Sequence, residues 1–586
     1  MTGRKRHLPA ALTGLGLGLS ALGPALAPGF VLSYDMVFVP EPGFTPMAFG
    51  LTGTLPRHVP SDVFAAVLGL VLPGEWAQKL ILLAIFVLAC VSAAALVPSP
   101  RLLPRLAAGV CYAWNPFVAE RLLLGQWALL LGYAALPWVV ARAARITEPG
   151  GARRLVLALL PAAIGGFAAL AVSGLTAFIV AVVAAGRHRL RAAAATCAVV
   201  LGLSLPWLVT GWLRPSGVPA DTMAVEAFAA RADTPFGVVG SLLLLGGVWN
   251  AETVPAGYGH PVTAALWLAV VLGALAAFGT WWWRQGRDRG YAGLGAAALA
   301  GLVIAALGAL APGLLRWLIG LWPGFAVLRD GQQYTAPLAV LVALGLGLLA
   351  ERVTPRLPVL AAGCLALAPV ALLPSLAFGA AGRLRAVEYP DSWRRARQIL
   401  QADPVPGDVL VLPWAAYRSY PWNGHRRVLD PLPRYLPRRV IFNDAVRVGD
   451  ITVPTEDPRA RRLDAAIGGD GPLVAALRAQ GVRYVAVDAE IASWDPAAGT
   501  PPGRRGPSGI VGHPTRLAGA EVVLRDRDLL LLRIPRPRRV ADEGPPVALA
   551  SAAWIATIGL IAWSLSVSGV TLVPRSTPLH RRRKAP

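Results

Sequence analysis

The sequence predicts a polytopic α-helical membrane protein of about twelve spans, with one water-soluble α/β domain inserted before the last of them. Three observations predict it. The 586 residues are 55% hydrophobic and only 15% charged, whereas a soluble chain carries about a quarter charged residues. Apolar runs recur that reach the roughly 20 residues needed to cross hydrocarbon as a helix. The arginines fall in every second loop between those runs, the pattern of the positive-inside rule.

The long runs are Leu8 to Leu32, Ala77 to Val97, Leu155 to Val172, Ala192 to Trp212, Pro261 to Trp283, Tyr291 to Ala311, Thr335 to Ala350, Pro358 to Phe378 and Pro546 to Val573. Shorter runs at Leu106 to Val118, Trp127 to Val140 and Leu175 to Ala185 complete about twelve spans if short or tilted helices are admitted. The net charge of +23 invites a nucleic-acid reading, but the placement of the cations decides against it. Arg4, Lys5 and Arg6 precede the first run. Arg101 and Arg105, then Arg142, Arg145, Arg153 and Arg154, then Arg187, Arg189 and Arg191, then Arg284, Arg287 and Arg289, then Arg352 and Arg356 occupy alternate loops, and Arg581 to Lys584 follow the last run. These loops and both termini are therefore expected in the cytoplasm, and the intervening loops outside. The first run could instead be a signal peptide cleaved near Ala25-Leu26-Ala27, but its length favours a retained helix. Cys90, Cys111, Cys197 and Cys364 show no paired spacing and are expected to be free and buried.

Three domains follow: a multi-span region over 1–382, a soluble α/β domain over 383–543, and a final span with a basic tail over 544–586. In the first outer loop, Ser33 to Trp76, the segment Val63 to Leu72 is too short to span and is expected at the membrane surface. The loops Leu213 to His260 and Pro312 to Tyr334 carry similar short apolar segments. In the soluble domain, Ser392 to Gln401 reads as a helix capped by Asp391, Asp408 to Leu412 as a strand, and Pro472 to Gln480 as a helix leading to the strand Arg483 to Asp488. Glu521 to Leu524 and Leu529 to Ile534 read as a hairpin, and Asp495 to Pro514 as a Gly/Pro loop.

Ionisable groups beside hydrocarbon are costly, so those at the outer ends of spans are candidates for chemistry. Asp35 directly follows the first run, with Glu41 six residues on. Either it is a solvated helix-end carboxylate or it is a general base. In Trp114-Asn115-Pro116-Phe117-Val118-Ala119-Glu120-Arg121, followed by Gly125-Gln126-Trp127, the proline frees backbone groups and sets Glu120 and Arg121 at the hydrocarbon edge. Arg121 holds either a phosphate or a neighbouring carboxylate. Leu328-Arg329-Asp330-Gly331-Gln332-Gln333-Tyr334 offers a second arginine, suited to a lipid-linked phosphate or to snorkelling beside Asp330. In the soluble domain, Trp414, Tyr417, Trp422 and His425 suit either carbohydrate contact or packing against the membrane surface. His425 has no Ser or Asp partner at hydrolase spacing. The chain holds no P-loop, dinucleotide fingerprint, His-Glu-X-X-His or paired Cys-X-X-Cys, which argues against nucleotide, dinucleotide or zinc chemistry.

The acidic residue after the first span, the long first outer loop with its short apolar segment, the Asn115-Pro116-Phe117 turn with Arg121, and the Arg329-Asp330 segment together resemble the GT-C class of integral membrane glycosyltransferases. The layout is most similar to actinobacterial enzymes of cell-envelope biogenesis that transfer arabinofuranose or mannose from polyprenyl-phosphate donors. The resemblance covers the spans up to about Phe378. It implies inverting transfer to an envelope glycan or lipid acceptor, with Asp35 as the base, Glu41 as a weaker substitute, and Arg121 and Arg329 on the donor phosphate. Asn115, Glu120, Asp330 and Tyr334 would support them. No cofactor is implied, and a divalent metal stays open. Where the class often carries two acidic residues in an Asp-X-Asp or Glu-Asp pattern, this chain has Asp35-Met36-Val37. A transporter of lipid-linked glycan, or a non-catalytic assembly protein, is the competing reading. Charges at outer ends of spans, rather than at mid-membrane, favour the enzyme.

Overall fold

The computed structural model describes residues 7–214, 224–354, 359–448, 451–488, 514–541 and 543–566. Among these, seven helical stretches are long and apolar enough to cross a membrane, or eight if the pair Gly363–Leu372 and Pro374–Gly382, bent by 64°, is one span. The stretch Phe167–Trp212 is two helices, Phe167–Ala185 and Arg189–Trp212, joined at Gly186–His188. The remainder of the expected dozen are shorter helices. The run Leu106 to Val118 breaks at Trp114-Asn115 into Leu102–Ala113 and Pro116–Leu123. The run Leu155 to Val172 breaks at Gly166, whose φ of 78° no helix tolerates, so Leu175 to Ala185 is the end of Phe167–Ala185 and no span of its own. Trp127–Ala143 is a shorter apolar helix.

Close backbone approach through small residues builds the bundle, as expected where the surrounding lipid is as apolar as the side chains. A Cβ on Gly14 of the helix Leu8–Leu22 would meet Phe86 O and Val87 Cα of Gly74–Leu96 at 2.8 Å. Gly345 of Ala336–Val353 lies equally tightly on Ala274 of Pro261–Arg284. Ala336–Val353 is buried almost all round and forms the centre, whereas Val547–Leu565 presents Leu549, Ile555, Ile558 and Trp563 outward and docks on Arg189–Trp212, where Thr557 Oγ1 donates to Gly202 O at 2.7 Å. Cys90 and Cys111 are buried free thiols, but Cys197 and Cys364 are exposed on the outer surface of the bundle, so burial of all four is corrected.

The basic loops meet at one end of the bundle. Arg101 pairs with Glu351 at 3.5 Å, Arg154 with Glu148 at 3.2 Å, Arg145 lies near Tyr291, and Gly186 abuts Arg289. Arg4 to Arg6, Arg356 and the C-terminal cluster lie outside the described residues. The opposite end carries the outer loops. There Ser61–Gly69 forms the expected short helix, burying Val63 and Ala66 and exposing Val67, with Leu70 and Val71 exposed just beyond it. Pro312–Leu321 and Gly237–Leu243 fill the other two loops.

The soluble domain sits on that end. Its five-stranded sheet runs, in order, Glu521–Arg525, Leu529–Arg533, Val482–Asp488, Asp408–Leu412 and Val440–Ile441; the first two pairings are antiparallel and the last two parallel. One sheet face packs Leu410, Leu412, Val485 and Val487 under Leu463, Ile467 and Leu477, while Val409, Val411, Tyr484 and Ala486 face Trp393 and Leu400. The helix Asp391–Ala402 is capped by Pro390; Asp391 lies in its first turn and pairs with Arg394 at 2.8 Å, which corrects its expected capping role. Val474–Ala479 is the shorter core of the expected helix Pro472 to Gln480. The loop Asp495 to Pro514 lies almost wholly outside the described residues.

A short β seam joins domain to bundle. Phe30–Val31, leaving the first helix, pairs antiparallel with Ala386–Val387 at the domain's entry. Just before that entry, residues 378–381 form one turn of left-handed helix, with φ between 51° and 69°. Three of the four, Phe378, Ala380 and Ala381, carry a Cβ that this conformation disfavours.

Candidate active site

Asp35 stands where bundle, first outer loop and soluble domain meet. Its N–H donates to Leu124 O at 3.0 Å, tying it to the bundle. The preceding Tyr34 is held in the left-handed region at φ 44° by the hairpin Tyr417–Ser419 and Arg427–Leu429: Tyr34 N–H donates to Arg427 O at 2.7 Å and Leu429 N–H to Tyr34 O at 2.8 Å. Gly125 lets the bundle approach this turn, since a Cβ there would lie 2.2 Å from Ser33 O and Met36 N. On the carboxylate itself, Tyr417 Oη donates to Oδ1 at 2.6 Å.

Around Asp35 stand charges from three parts of the chain. Arg57 and Arg434 are within electrostatic reach, as is Asp330. Arg57 keeps 47% of its side chain accessible although it lies deep in the molecule, and it is held by Glu456 at 2.8 Å. Arg434 is paired with Asp62 at 2.9 Å, and His58 lies beside both arginines. Desolvation pushes Asp35 above the usual carboxylate range, against the lowering effect of the Tyr417 hydrogen bond, Arg57 and Arg434. His58 is driven well below its ordinary value by burial first, then by Arg434 and Arg57, so it is a neutral imidazole at physiological pH.

Arg121 is on the far side of Asp330. It is 1% exposed, pairs with Asp330 at 3.5 Å and donates to Gln126 Oε1 at 3.0 Å. Its Nε, with Asp330 Oδ1 and Gln332 Oε1, makes no hydrogen bond. Asn115 closes the break that places Arg121: its Oδ1 accepts from Val118 N–H at 3.1 Å while its Nδ2 donates to Cys111 O and Tyr112 O at 2.9 Å. Glu120 is buried against Asp233, and burial followed by that carboxylate holds it well above the usual range. Arg329 is half-buried with its Nε donating to Ala326 O at 3.2 Å, so the residue of its segment that approaches Asp35 is Asp330. Tyr334 is buried in the bundle wall.

Several expected residues have other places. Glu41 is 72% exposed and pairs with Arg397 of the soluble domain at 3.1 Å, which leaves it no part beside Asp35. Trp414 is a core residue, 5% exposed, with its indole N–H donating to Asp464 at 2.8 Å; packing, not carbohydrate, occupies its faces. Trp422 stacks on Tyr420 at 4.9 Å within a ring cluster that includes Tyr389 and Trp393. His425 is exposed at the left-handed tip of the hairpin. Tyr417 alone of the four meets Asp35. Sequence reasoning missed Arg57, His58, Arg434 and Asp233. A signal existed for the first two: a basic pair in a loop that the charge pattern places outside is out of keeping with that pattern.

Among the described residues, no three His, Cys, Asp or Glu side chains gather as metal ligands.

No protein-family profile matches the chain, and no curated protein sequence does. Solved structures do. The arabinofuranosyltransferase AftD from mycobacteria is similar over 92% of this chain and 40% of its own, with 18% identity and a TM-score of 0.58. A mutant form of AftD matches over 92% and 42%, with 17% identity and a TM-score of 0.57. The oligosaccharyltransferase AglB from Archaeoglobus fulgidus, solved with an inhibitory peptide and a dolichol-phosphate, matches over 83% and 69%, with 12% identity and a TM-score of 0.43. This chain thus spans about two fifths of the length of the AftD structures, and its fold is GT-C-like.

Proposed function

We propose that this multi-pass membrane protein is an inverting glycosyltransferase that moves a sugar, arabinofuranose or mannose, from a polyprenyl-phosphate donor to a glycan or lipid acceptor of the cell envelope. The observation that carries the reading is the seat of Asp35, a partly exposed carboxylate that desolvation raises above its ordinary value, within electrostatic reach of Arg57 and Arg434 and bonded by Tyr417, at the end of the bundle opposite the basic loops. By the positive-inside rule that end faces out of the cytoplasm, and the soluble domain with it.

In this reading Asp35 accepts the proton of an acceptor hydroxyl as its oxygen bonds to C1 of the sugar. The C1–O bond to the lipid phosphate breaks with inversion, its electron pair stays on oxygen, and the phosphate leaves as a dianionic monoester, one negative charge more than the diester donor carried and in need of neutralising. Arg57 is suited to receive it, being accessible and steadied by Glu456. Arg121 and Arg329, the arginines suggested by the resemblance, serve at one remove: Arg121 fixes Asp330, and Arg329 lies beside Asp330 in the same segment. A raised pKa makes Asp35 a stronger base than a solvated carboxylate.

The test is transfer from radiolabelled polyprenyl-phosphate sugar in membranes. Asp35→Asn at equal protein level is expected to abolish turnover while donor binding persists. Unchanged turnover would move the reading to a transporter or an assembly protein, neither of which has a proton to abstract.

A further inference from the structure

The soluble domain reaches Asp35 by more than contact. The hairpin Tyr417–Ser419 and Arg427–Leu429 clamps the backbone of Tyr34 through two hydrogen bonds, one on each side of the residue next to Asp35, and places the Tyr417 phenol on the carboxylate. The Tyr34 and Tyr417 rings lie 6.2 Å apart across the same junction. A hairpin alone is pliable, but this one is braced from within. Asp430, 1% exposed, accepts from Arg418 Nε at 2.7 Å, from Tyr420 Oη at 3.0 Å and from Leu432 N–H at 2.9 Å, and Arg418 Nη2 donates to Pro413 O at 2.7 Å. A charged pair so deeply buried, with both Asp430 oxygens bonded and only Arg418 Nη1 left without a partner, favours one geometry. Rigid support is what a hydrogen bond to a reacting group needs in order to orient it.

We infer that Tyr417 is the positioning residue of Asp35, so that the soluble domain supplies part of the site's working geometry and is no mere cap on the bundle. The inference rests on Asp35 being the general base. The phenol donates to Oδ1, which leaves Oδ2 as the oxygen presented to an acceptor hydroxyl. The same bond stabilises the ionised form, so it keeps a desolvated carboxyl available as a base. This role differs from the sugar contact that the residue's aromatic character suggests.

The experiment is an infrared difference titration of the full-length protein in nanodiscs, with the carboxyl band of Asp35 identified by its loss in Asp35→Asn. In Tyr417→Phe the midpoint is expected to rise by about one pH unit, the size of a lost hydrogen bond to a charged group. Replacing Tyr417 by 3-fluorotyrosine keeps ring and fold while making the phenol a stronger donor, and the midpoint is expected to fall below that of the natural protein. Tyr417→Phe should also lower kcat with KM for the donor little changed, and move the acid limb of kcat/KM upward in step with the midpoint. A midpoint that stays put in both variants overturns the inference, and the fluorotyrosine protein decides alone if Tyr417→Phe does not fold. Full turnover in Asp35→Asn is a separate outcome, which removes the general base itself whatever the titration shows.

Discussion

Arg121 and Asp330, 209 positions apart in the chain, form an ion pair at 3.5 Å in which the arginine is 1% exposed and the aspartate 25%. The two segments singled out at the outer ends of separate spans are thus partners, and the pair stands between Asp35 and the buried Glu120.

Arg121→Ala is expected to injure the fold before the chemistry. It strands Asp330 and Gln126 in a poorly hydrated place, a loss of about 3 kcal/mol for a mostly buried pair. Arg121→Lys should recover little, because a single ammonium cannot serve Gln126 and Asp330 as a guanidinium does. Thermal denaturation in detergent, monitored by fluorescence, measures both, and melting unchanged in Arg121→Ala would return Arg121 to the role of a phosphate ligand.

Arg57→Ala should behave in the opposite way. Its side chain is 47% accessible, so the pair with Glu456 contributes under about 1 kcal/mol to stability. Donor affinity should drop at least tenfold, since a charge-assisted bond to phosphate is worth about 1.5–3 kcal/mol. Equilibrium binding of polyprenyl phosphate, compared with melting temperature, separates the two effects.

Asp35→Asn should reduce transfer by about 10² to 10⁴. It should also stabilise the protein at any pH where the natural Asp35 is ionised. The folded-state pKa of Asp35 is raised, so the protonated carboxyl contributes its full stability at low pH and that contribution is lost as pH rises through the raised value. The variant has no charge to desolvate. Its melting temperature relative to the natural protein should therefore climb as pH rises from the ordinary carboxylate range through the raised value, and a difference that is flat with pH would argue against a desolvated Asp35.

A cysteine at the exposed hairpin tip, His425→Cys, should react with a membrane-impermeant maleimide added to intact cells. Cys197 and Cys364 face outward from apolar helices and should not compete, because a charged reagent does not enter hydrocarbon. Labelling only after lysis would invert the topology.

Local signals in the sequence were legible where one segment decides its own form. The strand Asp408–Leu412 appears with the expected bounds, because an apolar run between Gly407 and Pro413 has no other outlet. The hairpin around Arg525 to Asp528 and the short helix beginning at Ser61 are likewise local. The surroundings of Asp35 were not legible beyond Asp35, Arg121, Asp330 and Tyr417. Arg57, Arg434 and Glu456 are brought together over hundreds of residues, and no periodicity in either segment records the meeting. Trp414 misled because aromatic and polar neighbours look alike on a binding face and in a core whose indole N–H has found a carboxylate.

The antiparallel seam of Phe30–Val31 on Ala386–Val387 sets a timetable for biosynthesis. Asp35 leaves the ribosome among the first tenth of the chain, but the partners that give it meaning come later: Leu124, then Asp330, then Tyr417 and Arg434. A nascent chain carrying every helix up to the soluble domain has the acid, exposed and without a phenol or hairpin to hold it. The surroundings of Asp35 close only when the chain has been made and folded through Arg434, so on the proposed reading a chain that stops short of that point is expected to be inert.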